Sequence, residues 1–273
     1  MAQAVILKLS PAEWILAVMT VQPDAVSTLA ETVNVNMSPE RLQGALQAAR
    51  DGLLARDLAR TDATGKLEIN PVVLSCARTL LNPQLSFGLT QIEADGTSQV
   101  SFYNSAPGFA IGTWVDANQI RSFELIGDAR NIAERVLTNS GNAVGAASAS
   151  PPVVKSYSLN AAGIPALPVD RAQKVDGLSR ALTQGGLPAE ESAALERAFA
   201  SPNRRAVLAG ANRTAGGPGA VPVQTLMWVA DTGRMWMMAQ AAGANTLTVS
   251  SANSAGLVQV VTAFVNALFT TVK

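Results

Sequence analysis

The fold is decided by VPVQTLMWVADTGRMWMM, residues 221–238, in which two apolar runs meet at Asp231-Thr232-Gly233. Because glycine accepts the positive φ of a tight turn, this pattern predicts a β-hairpin. The earlier stretch QVSFYNSAPGFAIGTWV, residues 99–115, has the same form, with its turn at Pro107-Gly108. The sequence therefore contains two related hairpins.

The elements around the two hairpins also repeat. A helix that ends at Asn-Pro or Ser-Pro precedes each hairpin, and one more strand and a final helix follow it. Such self-similarity indicates a duplicated unit. We expect an α+β fold with a pseudo-two-fold duplicated unit, antiparallel β-sheets, flanking helices and a C-terminal amphipathic helix. The expected layout is a single pseudo-symmetric domain over 1–273, with repeat subunits at about 38–141 and 153–273, a linker at 143–153 and an N-terminal helical segment at 1–37.

The composition excludes several chemistries. Twenty basic and twenty acidic residues cancel, so no global positive field favours nucleic acid, and we expect no nucleic-acid partner. The absence of histidine removes the usual general base, the Ser/His and Cys/His pairs and most catalytic zinc sites. Cys76 is the single cysteine and lies in an apolar helical pattern, which is typical of a core residue. Few enzyme classes remain, and we expect no metal and no cofactor.

The two ends of the chain bear on secretion and on membrane insertion. The first residues contain no small-residue cleavage site after a short apolar run, so we expect a cytoplasmic protein without a secretory signal. Near the other end, Leu257, Val260, Val261, Phe264, Val265 and Leu268 share one helical face. Polar residues interrupt this run at Gln259, Thr262 and Asn266, which favours a docked amphipathic helix over a membrane span.

The turn of the second hairpin also suggests an enzymatic alternative. Asp-Thr-Gly is the triplet of aspartic proteases, in which two carboxylates share one proton. The matching turn of the first hairpin, Ala106-Pro107-Gly108, has no carboxylate. A pair of Asp231 side chains could come only from a homodimer, and Asp-x-Gly is equally what a tight hairpin prefers. The hydrolase hypothesis therefore requires a homodimer that uses Asp231.

Apolar side chains occupy both faces of the second hairpin. Successive residues of a strand point to opposite faces, yet Met227 and Trp228 are both apolar, as are Met235 to Met238. One interpretation is a central strand pair between helices. The other is that one face binds a helical partner, because Met and Trp supply adaptable area and anchors.

The order of these motifs resembles the EspG family, cytoplasmic chaperones of type VII (ESX) secretion. The similar features are the early Trp14 helix, GLLARDL and GKLEINPVVLSCARTLLNP in the first half, then FASPNRR, VADTGR and ANTLTVSSANSAGLVQVVTAFVNAL. The resemblance implies a non-enzymatic protein that binds a helical secretion substrate of the PE-PPE type, shields its apolar tip and keeps it soluble.

The resemblance also implies a location for the partner. In that family the partner lies against the central sheet and the C-terminal helices, which here are the second hairpin and residues 252–271. The predicted partner-binding residues are Met227, Trp228, Met235, Trp236, Met238, Phe264 and Leu268. A third hypothesis is a structural protein that associates with itself through its sheet edges. The sequence leaves the oligomeric state open.

Overall fold

The structure, a computed structural model, describes residues 5–23, 38–93, 95–141, 153–162, 164, 177–200, 204–214, 223–231, 234–240 and 244–270. Seven α-helices lie within these ranges: α1 Pro11–Val21, α2 Pro39–Ala55, α3 Pro71–Leu81, α4 Ile132–Asn139, α5 Leu178–Gln184, α6 Ala189–Ala200 and α7 Ser254–Thr270. The strands are β1 Ile6–Leu9, β2 Ala59–Thr61, β3 Leu67–Ile69, β4 Leu85–Ile92, β5 Ser98–Ala106, β6 Phe109–Val115, β7 Arg121–Gly127, β8 Val154–Asn160, β9 Arg205–Asn212, β10 Val223–Asp231, β11 Arg234–Gln240 and β12 Thr246–Ala252.

The strand order confirms the expected α+β class with a large antiparallel sheet and a C-terminal helix. Strands β4, β5, β6 and β7 are neighbours in chain order, and β1 follows β7. The same order occurs again in β9, β10, β11 and β12, with β8 following β12. In both sets of strands, a strand from earlier in the chain, β1 or β8, therefore pairs with the last strand of a four-stranded meander. Strands β2 and β3 form a separate two-stranded sheet.

Both predicted hairpins are present. Strands β10 and β11 pair antiparallel, and the last pair in their register joins Asp231 to Arg234. Residues 232 and 233 of this turn lie outside the described residues. In the first hairpin Gly108 joins β5 to β6 with φ +70°, a left-handed conformation that glycine adopts without strain.

Contacts divide the chain into two compact units. The first comprises residues 1–84 and 104–129, and the second comprises 85–103 and 130–273, so the division passes through β5. The expected single domain and its repeat boundaries stay predictions. The expected linker at 143–153 falls outside the described residues except for Val153.

The core of the first unit lies between its helices and strands β1, β6 and β7. Trp14 of α1 contacts Phe123 of β7, with ring centroids 5.4 Å apart. Helix α1 begins with a capping box: Ser10 Oγ accepts from the Glu13 backbone N–H, and Glu13 Oε2 accepts from the Ser10 backbone N–H. Buried members of this core from the other helices and strands include Leu9, Leu53, Val73, Cys76 and Ile111.

The core of the second unit lies between α5, α6 and one face of strands β8 and β10 to β12. Its buried members include Leu159, Leu182, Leu195, Phe199, Met227, Val229, Trp236, Met238 and Val249. Helices α5 and α6 thus cover one face of the second hairpin.

Helix α7 is held at both ends by uncharged groups. At its start, Asn253 Oδ1 accepts from the backbone N–H groups of Gly256 at 2.9 Å and Val153 at 3.1 Å. At its end, Asn212 Nδ2 donates to the Leu268 carbonyl at 2.7 Å. The helix sequence SAGLVQVVTAFVNALFT contains no charged residue. None of the helices in the described part of the chain combines the length and hydropathy needed to cross a bilayer.

Candidate partner-binding surface

Most of the predicted contact residues lie in the core of the second unit. Met227, Trp228, Trp236, Met238 and Leu268 are each exposed by 2% or less. Met235 and Phe264 are partly exposed. The structure brings Met227, Trp236 and Met238 together in one core cluster, whereas Trp228 and Leu268 are buried outside that cluster. Met235 and Phe264 are the members of the predicted set that offer surface to a partner. A role in partner binding stays a prediction for all seven.

The second unit does expose apolar side chains elsewhere on its sheet. Val100 and Phe102 of β5 are 43% and 50% exposed, and Val223 of β10 is 46% exposed. Phe102 lies over Gly88 of β4, since a Cβ atom built on Gly88 would be 3.7 Å from Phe102 Cε1. The two strands therefore share an open face at this point.

The strand registers extend this face across four neighbouring strands. Gly88 pairs with Ala209 of β9, and Ala209 pairs with Thr225 of β10. Because side chains alternate along each strand, residues two positions away lie on the same face. We call this surface the Phe102 face and define it as Ser86, Gly88, Thr90, Val100, Phe102, Val207, Ala209, Ala211, Val223 and Thr225.

The Phe102 face is shallow and uncharged. Every member is small or apolar apart from one serine and two threonines, and every member is partly or largely exposed. Glycine and alanine let an incoming backbone approach the sheet closely, whereas Phe102 and the three valines supply apolar contact area. Such a surface can accept an apolar helix face, and its members include no ionisable side chain that could activate the Ser86, Thr90 or Thr225 hydroxyl.

The opposite face of the same strands is closed. Phe87, Leu89, Leu208 and Gly210 are buried on β4 and β9. A Cβ atom on Gly210 would lie 2.5 Å from Leu268 Cδ1 and 2.8 Å from Phe87 Cδ1, so α7 is in direct contact with the sheet there. Helix α7 therefore covers this opposite face, whereas on the Phe102 face Val207 is partly buried against the core under α5 and α6, and Val100, Phe102 and Val223 are the largely exposed members.

A charged cluster lies at one end of the second unit. Glu191 of α6 accepts from Lys155 Nζ at 2.9 Å and from Arg234 Nη1 at 3.1 Å. The hydrogen bond from Lys155 is the main cause that lowers the pKa of Glu191. Hydrogen bonds with Tyr157 and Glu191 in turn raise the pKa of Lys155. The cluster joins β8, α6 and β11 by placing one carboxylate between two cations.

A cleft of about 710 Å³ lies in the first unit beside the β2–β3 arm. Its lining includes the ion pair between Arg60 and Glu68, whose charged atoms are 2.7 Å apart, together with Asp62. Hydrogen bonds, first that from the Thr64 side chain, lower the pKa of Asp62. These groups are engaged with each other in a solvated hairpin, so the cleft shows no arrangement of catalytic groups.

The residues considered for catalysis do not form a site in the described part of the chain. Burial raises the pKa of Cys76 to about 12, so this thiol stays protonated at neutral pH and is a poor nucleophile. The Asp231 side chain lies outside the described residues, although its backbone pairs with Arg234. Among the residues described, no group of three Asp, Glu, His or Cys side chains is placed to hold a metal ion.

Comparison with known proteins finds similarity at the level of structure. No protein-family model and no curated protein matches the sequence. A solved structure of the Mycobacterium tuberculosis type VII secretion system chaperone EspG5, in complex with the PE25-PPE41 dimer, has a TM-score of 0.61 and 12% sequence identity. The similarity covers 98% of this chain and 97% of that chain. This chain therefore has an EspG-like fold.

Proposed function

We propose that this protein is a chaperone-like adaptor that binds a helical secretion substrate of the PE-PPE type and keeps it soluble in the cytoplasm for type VII secretion. The observation that carries the proposal is the shared fold with a chaperone over nearly the full length of both chains. The role is one of binding, without catalysis.

The Phe102 face is the proposed contact surface for the client. It is uncharged, it is open on the sheet of the second unit, and it carries Phe102 with half of its surface exposed. Phe102 would become buried in the complex, and an aromatic side chain buried at the centre of an interface is typical of a hot spot. An amphipathic helix of the client would place its apolar residues across the small side chains of β4 and β9. Met235 and Phe264 are proposed as secondary contacts.

The test is coexpression with PE-PPE pairs of the source organism. The chain and each pair are purified together, and complex formation is measured by size-exclusion chromatography with light scattering. We expect at least one pair to elute with the chain and to precipitate without it. If every pair fails to bind, the proposed function is wrong.

The surface is tested separately with Phe102→Glu. A charge at the centre of an apolar interface should weaken the complex by about tenfold or more, because the carboxylate loses water without gaining a partner. The control is Val72→Glu, since Val72 is 42% exposed on α3 in the other unit. Normal binding by Phe102→Glu would exclude the Phe102 face while leaving the chaperone function intact.

A further inference from the structure

Strand β1 lies at one end of its strand order in the first unit, and among the described strands it pairs only with β7. The Leu125 backbone N–H donates to the Val5 carbonyl at 3.1 Å, so the peptide groups of Val5 face β7. Because these directions alternate along a strand, Ile6 and Lys8 direct their N–H and C=O groups away from β7. This outer side is where another strand could add.

An ion pair between Glu13 of α1 and Arg56, the residue after α2, occupies part of that outer side. Arg56 Nη1 donates to the Lys8 carbonyl at 2.9 Å. Glu13 Oε2 accepts from the next outward-facing group, the Ser10 backbone N–H, at 2.7 Å. Arg56 Nη2 and Glu13 Oε1 are 2.6 Å apart. The pair therefore offers a donor and an acceptor to successive outward groups, as the backbone of a neighbouring strand would do.

The packing of α2 fixes Arg56 in this position. A Cβ atom on Gly52 would lie 2.9 Å from Glu13 Oε1, so glycine lets α2 approach the carboxylate. Arg56 Nε also donates to the Gly52 carbonyl at 3.4 Å. The side chain of Glu13 is 9% exposed, whereas that of Arg56 is 42% exposed. The guanidinium therefore lies between the solvent and the Lys8 carbonyl on the outer side of β1.

The start of the β1 edge, before the exposed Lys8, carries apolar side chains. Val5 is 62% exposed and Ile6 is 48% exposed. An exposed strand edge of this kind is a template for pairing with another chain. The added strand could be β1 of a second copy, because two identical strands can pair antiparallel about a two-fold axis. We propose that the Arg56–Glu13 ion pair guards the β1 edge against strand addition by a second copy of this chain.

The test is Arg56→Met, which removes the donors and keeps most of the side-chain volume. Size-exclusion chromatography with light scattering should show about a twofold or larger rise in mass relative to the unmodified chain, increasing with concentration. The matched control is Arg60→Met, because Arg60 forms an exposed ion pair with Glu68 at 2.7 Å, away from β1. This control should leave the mass unchanged.

Rescue by Ile6→Pro separates edge pairing from misfolding. The Ile6 N–H points away from β7, so proline at this position costs no bond to β7 and blocks an added strand. Arg56→Met with Ile6→Pro should return to the mass of the unmodified chain, whereas aggregation caused by misfolding would persist. Association that Ile6→Pro does not reverse, or a folded Arg56→Met variant that does not associate, overturns the proposal.

A further variant covers the case in which Arg56→Met does not fold, because this change leaves the Glu13 carboxylate unpaired. Glu13→Gln with Arg56→Met removes both charges and still leaves the Lys8 carbonyl without its Arg56 donor. A rise in the mass of this double variant that Ile6→Pro reverses supports the proposal. No rise in mass, or a rise that Ile6→Pro does not reverse, overturns it.

Discussion

Strands β5 and β10 hold equivalent places in the two copies of the fold, yet their apolar side chains have opposite environments. Met227 and Val229 of β10 are exposed by 2% or less, whereas Val100 and Phe102 of β5 are 43% and 50% exposed. Helices α5 and α6 cover the β10 side chains. Apolar density in a strand therefore does not by itself indicate burial, because the placement of distant helices decides which apolar side chains are covered.

The largest expected effect is the loss of stability when a buried side chain of the second hairpin is removed. Trp236 is paired to Val229 across the hairpin and has no exposed surface. Replacing it by alanine should lower the free energy of unfolding by about 3–5 kcal/mol, because a large cavity remains in the core. Chemical denaturation followed by circular dichroism measures this change.

The matched change on the open strand is Phe102→Ala, which should alter the free energy of unfolding by about 1 kcal/mol or less, since half of the ring is already solvated. Equal losses for Trp236→Ala and Phe102→Ala would show that the Phe102 face is covered in solution.

A smaller effect compares the two faces of the sheet at adjacent positions. Gly210→Ala should destabilise the protein by about 1–3 kcal/mol, because its new methyl group would overlap Leu268 and Phe87. Gly88→Ala should be near neutral, since the nearest atom, in Phe102, is 3.7 Å away. Thermal and chemical unfolding of both variants tests the contrast. A destabilised Gly88→Ala together with a neutral Gly210→Ala would reverse the assignment of open and closed faces.

The smallest effect concerns the Glu191 cluster. Glu191→Gln removes two ion pairs whose cations, Lys155 and Arg234, are 61% and 43% exposed in their side chains. The expected loss is about 1 kcal/mol or less, because exposed ion pairs contribute little. Glu68→Gln, in the exposed pair with Arg60, is the control and should cost less still.

The Glu191 cluster also predicts a dependence on pH. The pKa of Glu191 is lower in the folded protein than its ordinary value of 4.5, mainly because Lys155 donates to it. Its contribution is therefore complete above pH 4.5 and is lost as the pH falls through the lowered pKa. The difference in Tm between the unmodified chain and Glu191→Gln should shrink between pH 7 and pH 3. A constant difference would exclude this cause.

Sequence periodicity predicted local elements well and long-range ones less well. The two hairpins, the α+β class and the C-terminal helix were predicted, and the structure has all three. Strand β1 was missed, because four residues carry little pattern and its partner β7 lies more than a hundred residues later. Pairing between distant segments decides such a strand.

Gly52 and Phe102 show why the sequence was ambiguous at particular residues. Asp-Gly usually marks a turn, but α2 continues through Asp51-Gly52 to Ala55, and Gly52 lies where the helix backbone approaches Glu13. In β5, Phe102 and its neighbour Tyr103 are both aromatic, so alternation alone does not indicate which one is buried. The structure buries Tyr103 at 0% exposure, with its hydroxyl accepting from Asn139 Nδ2 at 2.7 Å.

Because α7 contains no charged residue, its docking should depend little on salt concentration and pH. Added salt screens the Glu191 ion pairs, but it has no charge to screen between Ser254 and Thr270. Acidification likewise protonates nothing along this helix. Its docking should therefore hold across changes in ionic strength and acidity, and kosmotropic salts should tighten it.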